Sequence, residues 1–90
     1  MTSDYRPIDC DQHSLLELLA MRRAAVTARS TDEYGAQSLI EGVVSDVITR
    51  GGAEYLVLRG VDREATSIRL DRLQAVYDAA GLEVWRQKIA

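Results

Sequence analysis

The sequence has no phenylalanine, and only one proline, one cysteine, one histidine and one tryptophan among its 90 residues. These scarcities exclude several kinds of chemistry. One cysteine cannot form an internal disulfide, and a cytoplasmic address is the default expectation for such a chain. A closed zinc site needs four ligands, whereas Cys10 and His13 supply two, so no metal is expected. As a nucleophile and its base, the same pair would lack a glycine-rich oxyanion loop and an orienting third group. Gly51-Gly52 lies outside any phosphate-loop or dinucleotide fingerprint. No apolar run approaches the roughly 18 residues that span a bilayer. Leu15–Leu19 is too short and interrupted for a signal core, and the residues before it are acidic rather than basic. The expectation is a protein that is not an enzyme, uses no cofactor and stays off membranes.

What the chain does have is a sharply placed charge. Residues 1–20 hold four acids (Asp4, Asp9, Asp11, Glu17) and one base (Arg6), which accounts for the whole net charge of −3. Residues 21–60 hold five of each sign, and so do residues 61–90. An acidic end attracts basic surfaces and repels nucleic acid phosphate, so a protein partner is expected rather than direct nucleic acid binding. The 47% hydrophobic and 28% charged composition is that of a folded chain. With phenylalanine absent, its core must rely on Leu, Val, Ile, four Tyr and Trp85.

Periodicity gives one helix and several short strands. Pro7 disfavours helix at Arg6, so residues 1–8 read as extended. Asp11 is the expected N-cap of a helix over residues 12–20. At about 100° per residue, Leu15, Leu16, Leu18 and Leu19 fall in one arc, with His13, Ser14 and Glu17 on the other side. Cys10 is expected to anchor the arm as a small apolar residue. From Arg22 the pattern alternates: Ala24, Val26 and Ala28 share one side. Residues 30–35 form a polar loop. A second strand over 36–44 carries Gly42, which suggests a bulge or bend, and residues 45–49 continue toward the Gly51-Gly52 turn. Strands follow at 54–59, 65–70 and 74–77, with a last edge strand over 82–87. Asp46 and Arg50 flank the turn region, where they form either a local ion pair or a contact surface. One helix followed by five or six short strands suggests a small, strongly bent sheet or barrel.

Three blocks then support a comparison. They are Tyr5-Arg6-Pro7-Ile8-Asp9-Cys10-Asp11 with Leu16-Glu17-Leu18; Val44-Ser45-Asp46-Val47 with Arg50 and Glu54-Tyr55-Leu56-Val57; and Ile68-Arg69-Leu70-Asp71-Arg72-Leu73. In this order and spacing the chain resembles the Rho-binding antiterminators, the Rof-type proteins of bacteria, over about residues 5–73. The resemblance implies a mainly β domain over 1–90 with one N-terminal helix. In that domain, an arm and helix (1–21) would sit on an Sm-like, strongly bent five-strand β-barrel (22–88), with room for an extra C-terminal edge strand. It also implies a non-catalytic inhibitor of the transcription termination factor Rho. Such a protein binds near the primary RNA-binding site of Rho's N-terminal RNA-binding domain, blocks RNA loading and prevents termination. Carried onto this sequence, the partner-binding residues are Asp9, Asp11, His13 and Glu17, with Asp46 and Arg50 as further candidates. Gln12 and His13 depart from the more acidic or aromatic residues of the family. Two other classes fit the same composition. One is an Sm-like RNA-binding protein; the other is a small subunit of another complex that docks by its leucine-rich helix.

Overall fold

The computed structural model describes residues 5–88; what was expected of residues 1–4, Asp4 included, lies outside the described residues. An arm leads into helix α1 (Cys10–Met21). Six strands follow: β1 (Ala25–Thr31), β2 (Gln37–Arg50), β3 (Ala53–Arg59), β4 (Ala65–Arg69), β5 (Leu73–Asp78) and β6 (Glu83–Arg86). They form one antiparallel sheet in the order β4-β3-β2-β1-β5-β6. The chain is thus mainly β with one N-terminal helix, and the extra C-terminal edge strand is β6. Among the described residues the ladder does not close into a ring, which leaves β4 and β6 as its edges.

Strand β2 organises the sheet. The expected strand over 36–44 and the segment after it are one continuous strand. Its first half, from Gln37 to Val43, pairs with β1, and its second half, from Val43 to Arg50, pairs with β3. The bulge expected at Gly42 lies further on, where the register shifts between Val44 and Asp46. Gly42 serves a different need. A Cβ there would sit 2.8 Å from the Arg59 carbonyl oxygen and 3.2 Å from Leu58 Cβ, so the close approach of β3 requires a residue without a side chain. The sheet curls as a result. Ser30 and Thr31 of β1 line one cavity of about 260 Å³ together with Ile68 and Arg69 of β4. Three strand spacings would hold β1 and β4 about 14 Å apart in a flat sheet.

The curled face encloses the core: Ile8, Leu16, Val26, Ala28, Val44, Leu56, Leu58, Ile68, Leu70, Leu73, Val76 and Trp85. The alternation expected in β1 holds, since Val26, Ala28 and Ser30 are buried between more exposed neighbours. Two hairpin loops are fastened in the same way. Asp32 Oδ1 accepts from the Tyr34 and Ala36 amides, and Asp78 Oδ1 accepts from those of Ala80 and Leu82. Each aspartate side chain thereby substitutes for missing backbone partners in its turn.

Helix α1 differs from expectation in its start and its buried face. Asp9, not Asp11, is the N-cap. Its backbone is extended (φ −58°, ψ 141°), its carboxylate accepts from the Asp11 amide at 3.2 Å, and its carbonyl accepts from the His13 amide at 3.0 Å. The helix can begin this early because Ile8, not Cys10, anchors the arm: Ile8 is buried and Cys10 is exposed. The leucine arc is only half used. Leu16 is fully buried and Leu19 packs at the core margin, but Leu15 and Leu18 remain 43% and 38% exposed. The inward stripe is Gln12, His13, Leu16, Leu19 and Ala20, which are spaced at one and two helical turns. Fully burying a leucine stabilises by about 1.5–3 kcal/mol, so Leu16 is the main seat of the helix. No helix among the described residues is long and apolar enough to cross a membrane.

Candidate functional site

Residues from each of the three sequence blocks meet around the start of α1. Each is set there by its own element: Tyr5 by the arm, His13 by the first turn of α1, Glu54 by the start of β3, and Arg69 and Asp71 by the end of β4 and its turn. Glu54 is the hub. Its Oε1 accepts from the Tyr5 hydroxyl at 2.9 Å, and its Oε2 lies 2.7 Å from His13 Nε2. The opposite ring nitrogen of His13, Nδ1, lies 3.4 Å from Glu17 Oε1 one helical turn on. Asp71 forms the second anchor. It receives Arg69 Nε at 2.6 Å and a second guanidinium nitrogen at 3.0 Å, and it also accepts from the Arg6 amide at 3.2 Å. The Arg69 guanidinium lies 5.9 Å from the centre of the Tyr5 ring. Burial, followed by the hydrogen bond to Glu54, raises the Tyr5 phenol well above its ordinary value.

The C-terminal strand clasps this end from the other side. Trp85 Nε1 donates to the Gln12 carbonyl at 2.8 Å, the Gln12 side chain donates to the Arg86 carbonyl, and the Asp9 amide donates to the Lys88 carbonyl at 2.8 Å. Gln12, like His13, is therefore turned inward to hold structure.

The six expected site residues divide into two groups. Asp9, Asp11, His13 and Glu17 lie together on the arm and first two turns. Asp11 and Glu17 are exposed, Asp9 is half-buried by its capping role, and His13 faces Glu54 instead of projecting away from the sheet. Asp46 and Arg50 stand apart, on the opposite face of the β2–β3 ribbon from Glu54, because their partners Val57 and Ala53 alternate with it. They are not paired with each other. Asp46 accepts from the Val47 amide at 2.8 Å, and the Arg50 guanidinium lies 5.0 Å from the centre of the Tyr55 ring. Tyr5, Glu54, Arg69 and Asp71 were not among the expected site residues. Their signal was their presence inside the three blocks, as polar residues beside strand-forming ones.

Among the described residues, no group of three histidine, cysteine or carboxylate side chains is arranged to hold a metal ion. Cys10 points to solvent while His13 turns to Glu54, so the two do not form a nucleophile and base. A groove of about 950 Å³ lies elsewhere and includes Thr27, Leu39, Val43 and Tyr77 on the sheet.

No family model matches the chain. It is 32% identical over 73 residues to the proteins named rof of Escherichia coli strain K12 and of Shigella flexneri, a match covering 81% of this chain and 81% of each relative. The chain belongs to the Rof family. The blocks first noted as the Rof resemblance supply the side chains of the Tyr5–Glu54 and Arg69–Asp71 contacts, and His13, which lies outside them, joins at Glu54. In this Rof-family chain they hold the acidic helix start against the sheet.

Proposed function

We propose that this chain is a non-catalytic inhibitor of the transcription termination factor Rho. It binds near the primary RNA-binding site of Rho's N-terminal domain and blocks RNA loading, and so acts as an antiterminator. The observation that carries the reading is the cluster of carboxylates at a helix start that is itself latched to the sheet. Asp11 and Glu17 are exposed there, with Asp9 and Glu54 half-exposed beside them, while Arg69 is neutralised by Asp71. A surface that binds RNA must be basic, and carboxylates clustered on a seated helix complement it electrostatically. Membership of the Rof family supports the choice of partner. Asp46 and Arg50 lie away from this face and enter the reading only as a second contact.

The reading extends to fold and location. It takes the single domain over 1–90 as an Sm-like, strongly bent five-strand barrel with β6 added at its edge, a reading supported by the order β4-β3-β2-β1-β5 with β2 shared by both halves. The protein acts in the cytoplasm, where Rho acts on nascent RNA, and uses neither membrane nor direct RNA contact.

A Rho-dependent termination assay with and without the full chain tests the activity, with read-through as the expected result. Asp11→Lys combined with Glu17→Lys reverses two exposed charges and should weaken Rho binding by about tenfold or more, with circular dichroism unchanged. Wild-type affinity in the folded double variant would overturn the acidic-face mechanism. Tight, salt-sensitive binding of RNA by the purified chain alone would favour a direct RNA binder instead.

A further inference from the structure

The His13 ring is flanked on both sides by acceptors. Nε2 lies 2.7 Å from Glu54 and Nδ1 lies 3.4 Å from Glu17. A neutral imidazole carries one N–H and one lone pair, so it satisfies only one of two carboxylates; an imidazolium donates to both. The two distances rank the partners. Glu54, half-buried and already accepting from Tyr5, keeps the short bond in either state. Glu17, whose side chain is 56% exposed, faces a lone pair when the ring is neutral and an N–H when it is charged.

We infer that His13 is a proton-operated positioning residue that decides whether Glu17 is free to meet a partner. With the neutral ring, acceptor faces acceptor and Glu17 swings to solvent, where it joins Asp11 on the acidic face. With the charged ring, Glu17 is drawn back along the helix and its charge is offset. Protonation thus removes one unit of net negative charge from the helix start, and it does so at Glu17, whose carboxylate is drawn back toward the ring. Among the neighbouring groups, Tyr5 on the arm donates to Glu54, and Arg69 pairs with Asp71.

The inference rests on the Rho reading for its partner but not for its chemistry, so two measurements separate them. In the free protein, nuclear magnetic resonance should show the Glu17 carboxyl carbon moving in step with the His13 ring. A Glu17 signal that ignores His13 overturns the gate. In the second measurement, Rho binding by wild type and by His13→Gln is compared at about pH 8 and about pH 5.5, at fixed ionic strength. Glutamine keeps a neutral donor toward Glu54 and does not charge. Wild type should lose roughly twofold to fivefold more affinity on acidification than His13→Gln, the scale of one partly exposed charge pair. Glu17→Gln should remove the same excess. Equal pH dependence in wild type and both variants overturns the inference. Absence of binding at about pH 8 overturns the Rho reading and leaves the gate to be decided by the resonance measurement.

Discussion

Replacing Glu54 tests whether the acidic helix start is latched to the sheet or merely lies beside it. Glu54→Ala removes the acceptor of the Tyr5 hydroxyl at 2.9 Å and the partner of His13 at 2.7 Å. A hydrogen bond to a charged group is worth about 1.5–3 kcal/mol when well sheltered. Here the Glu54 and His13 side chains are 27% and 25% exposed, so solvent screening lowers each bond to about 1 kcal/mol. Relief of repulsion from Glu17 and Asp71 returns a few tenths of a kcal/mol. The net expectation is a loss of about 2 kcal/mol, or about 2 M in the urea midpoint for a domain of this size. Glu54→Gln keeps an oxygen for Tyr5 and should cost about half as much. The assay is urea unfolding with a double-mutant cycle against Tyr5→Phe, for which the coupling should be about 1 kcal/mol. Purely additive losses, or a Glu54→Ala midpoint within about 0.5 M of wild type, would refute the latch.

Two further predictions concern the arm and the bent strand. The raised Tyr5 phenol makes folding favour its neutral form. Its contribution is therefore complete below the ordinary tyrosine value near 10 and is lost as pH climbs through the higher folded value. Stability above about pH 10 should fall less steeply in Tyr5→Phe than in wild type, as measured by thermal unfolding across alkaline pH. Gly42→Ala places a Cβ against the Arg59 carbonyl and should cost about 1–3 kcal/mol, read as a lowered melting temperature; an unchanged value would show that β3 can retreat.

Several features were legible because they depend on neighbours in the chain. The alternation of Val26 and Ala28 and the apolar run through Leu56 and Leu58 each declare a strand locally, and the polar loop expected over 30–35 was placed two residues early, since Ser30 and Thr31 belong to β1. The helix was legible too, but its start was misplaced by two residues. Asp9 and Asp11 are equally good caps by chemistry, and the burial of Ile8 chooses between them. The leucine arc misled for a related reason: four leucines give a wide apolar arc, but the sheet covers only the side that also carries Gln12 and His13.

The sequence by itself determined the mainly β character, the single helix, the concentration of charge at one end and, through its three blocks, the family. Those are properties of composition, period and order. Only the tertiary structure decided that Tyr5, His13, Glu54, Arg69 and Asp71 touch, because that requires the arm to cross β3 and the sheet to curl. Contacts across 49 residues, as between Tyr5 and Glu54, leave no local period to read. It likewise decided that His13, expected on the side away from the leucine arc, turns inward and lies between Glu54 and Glu17.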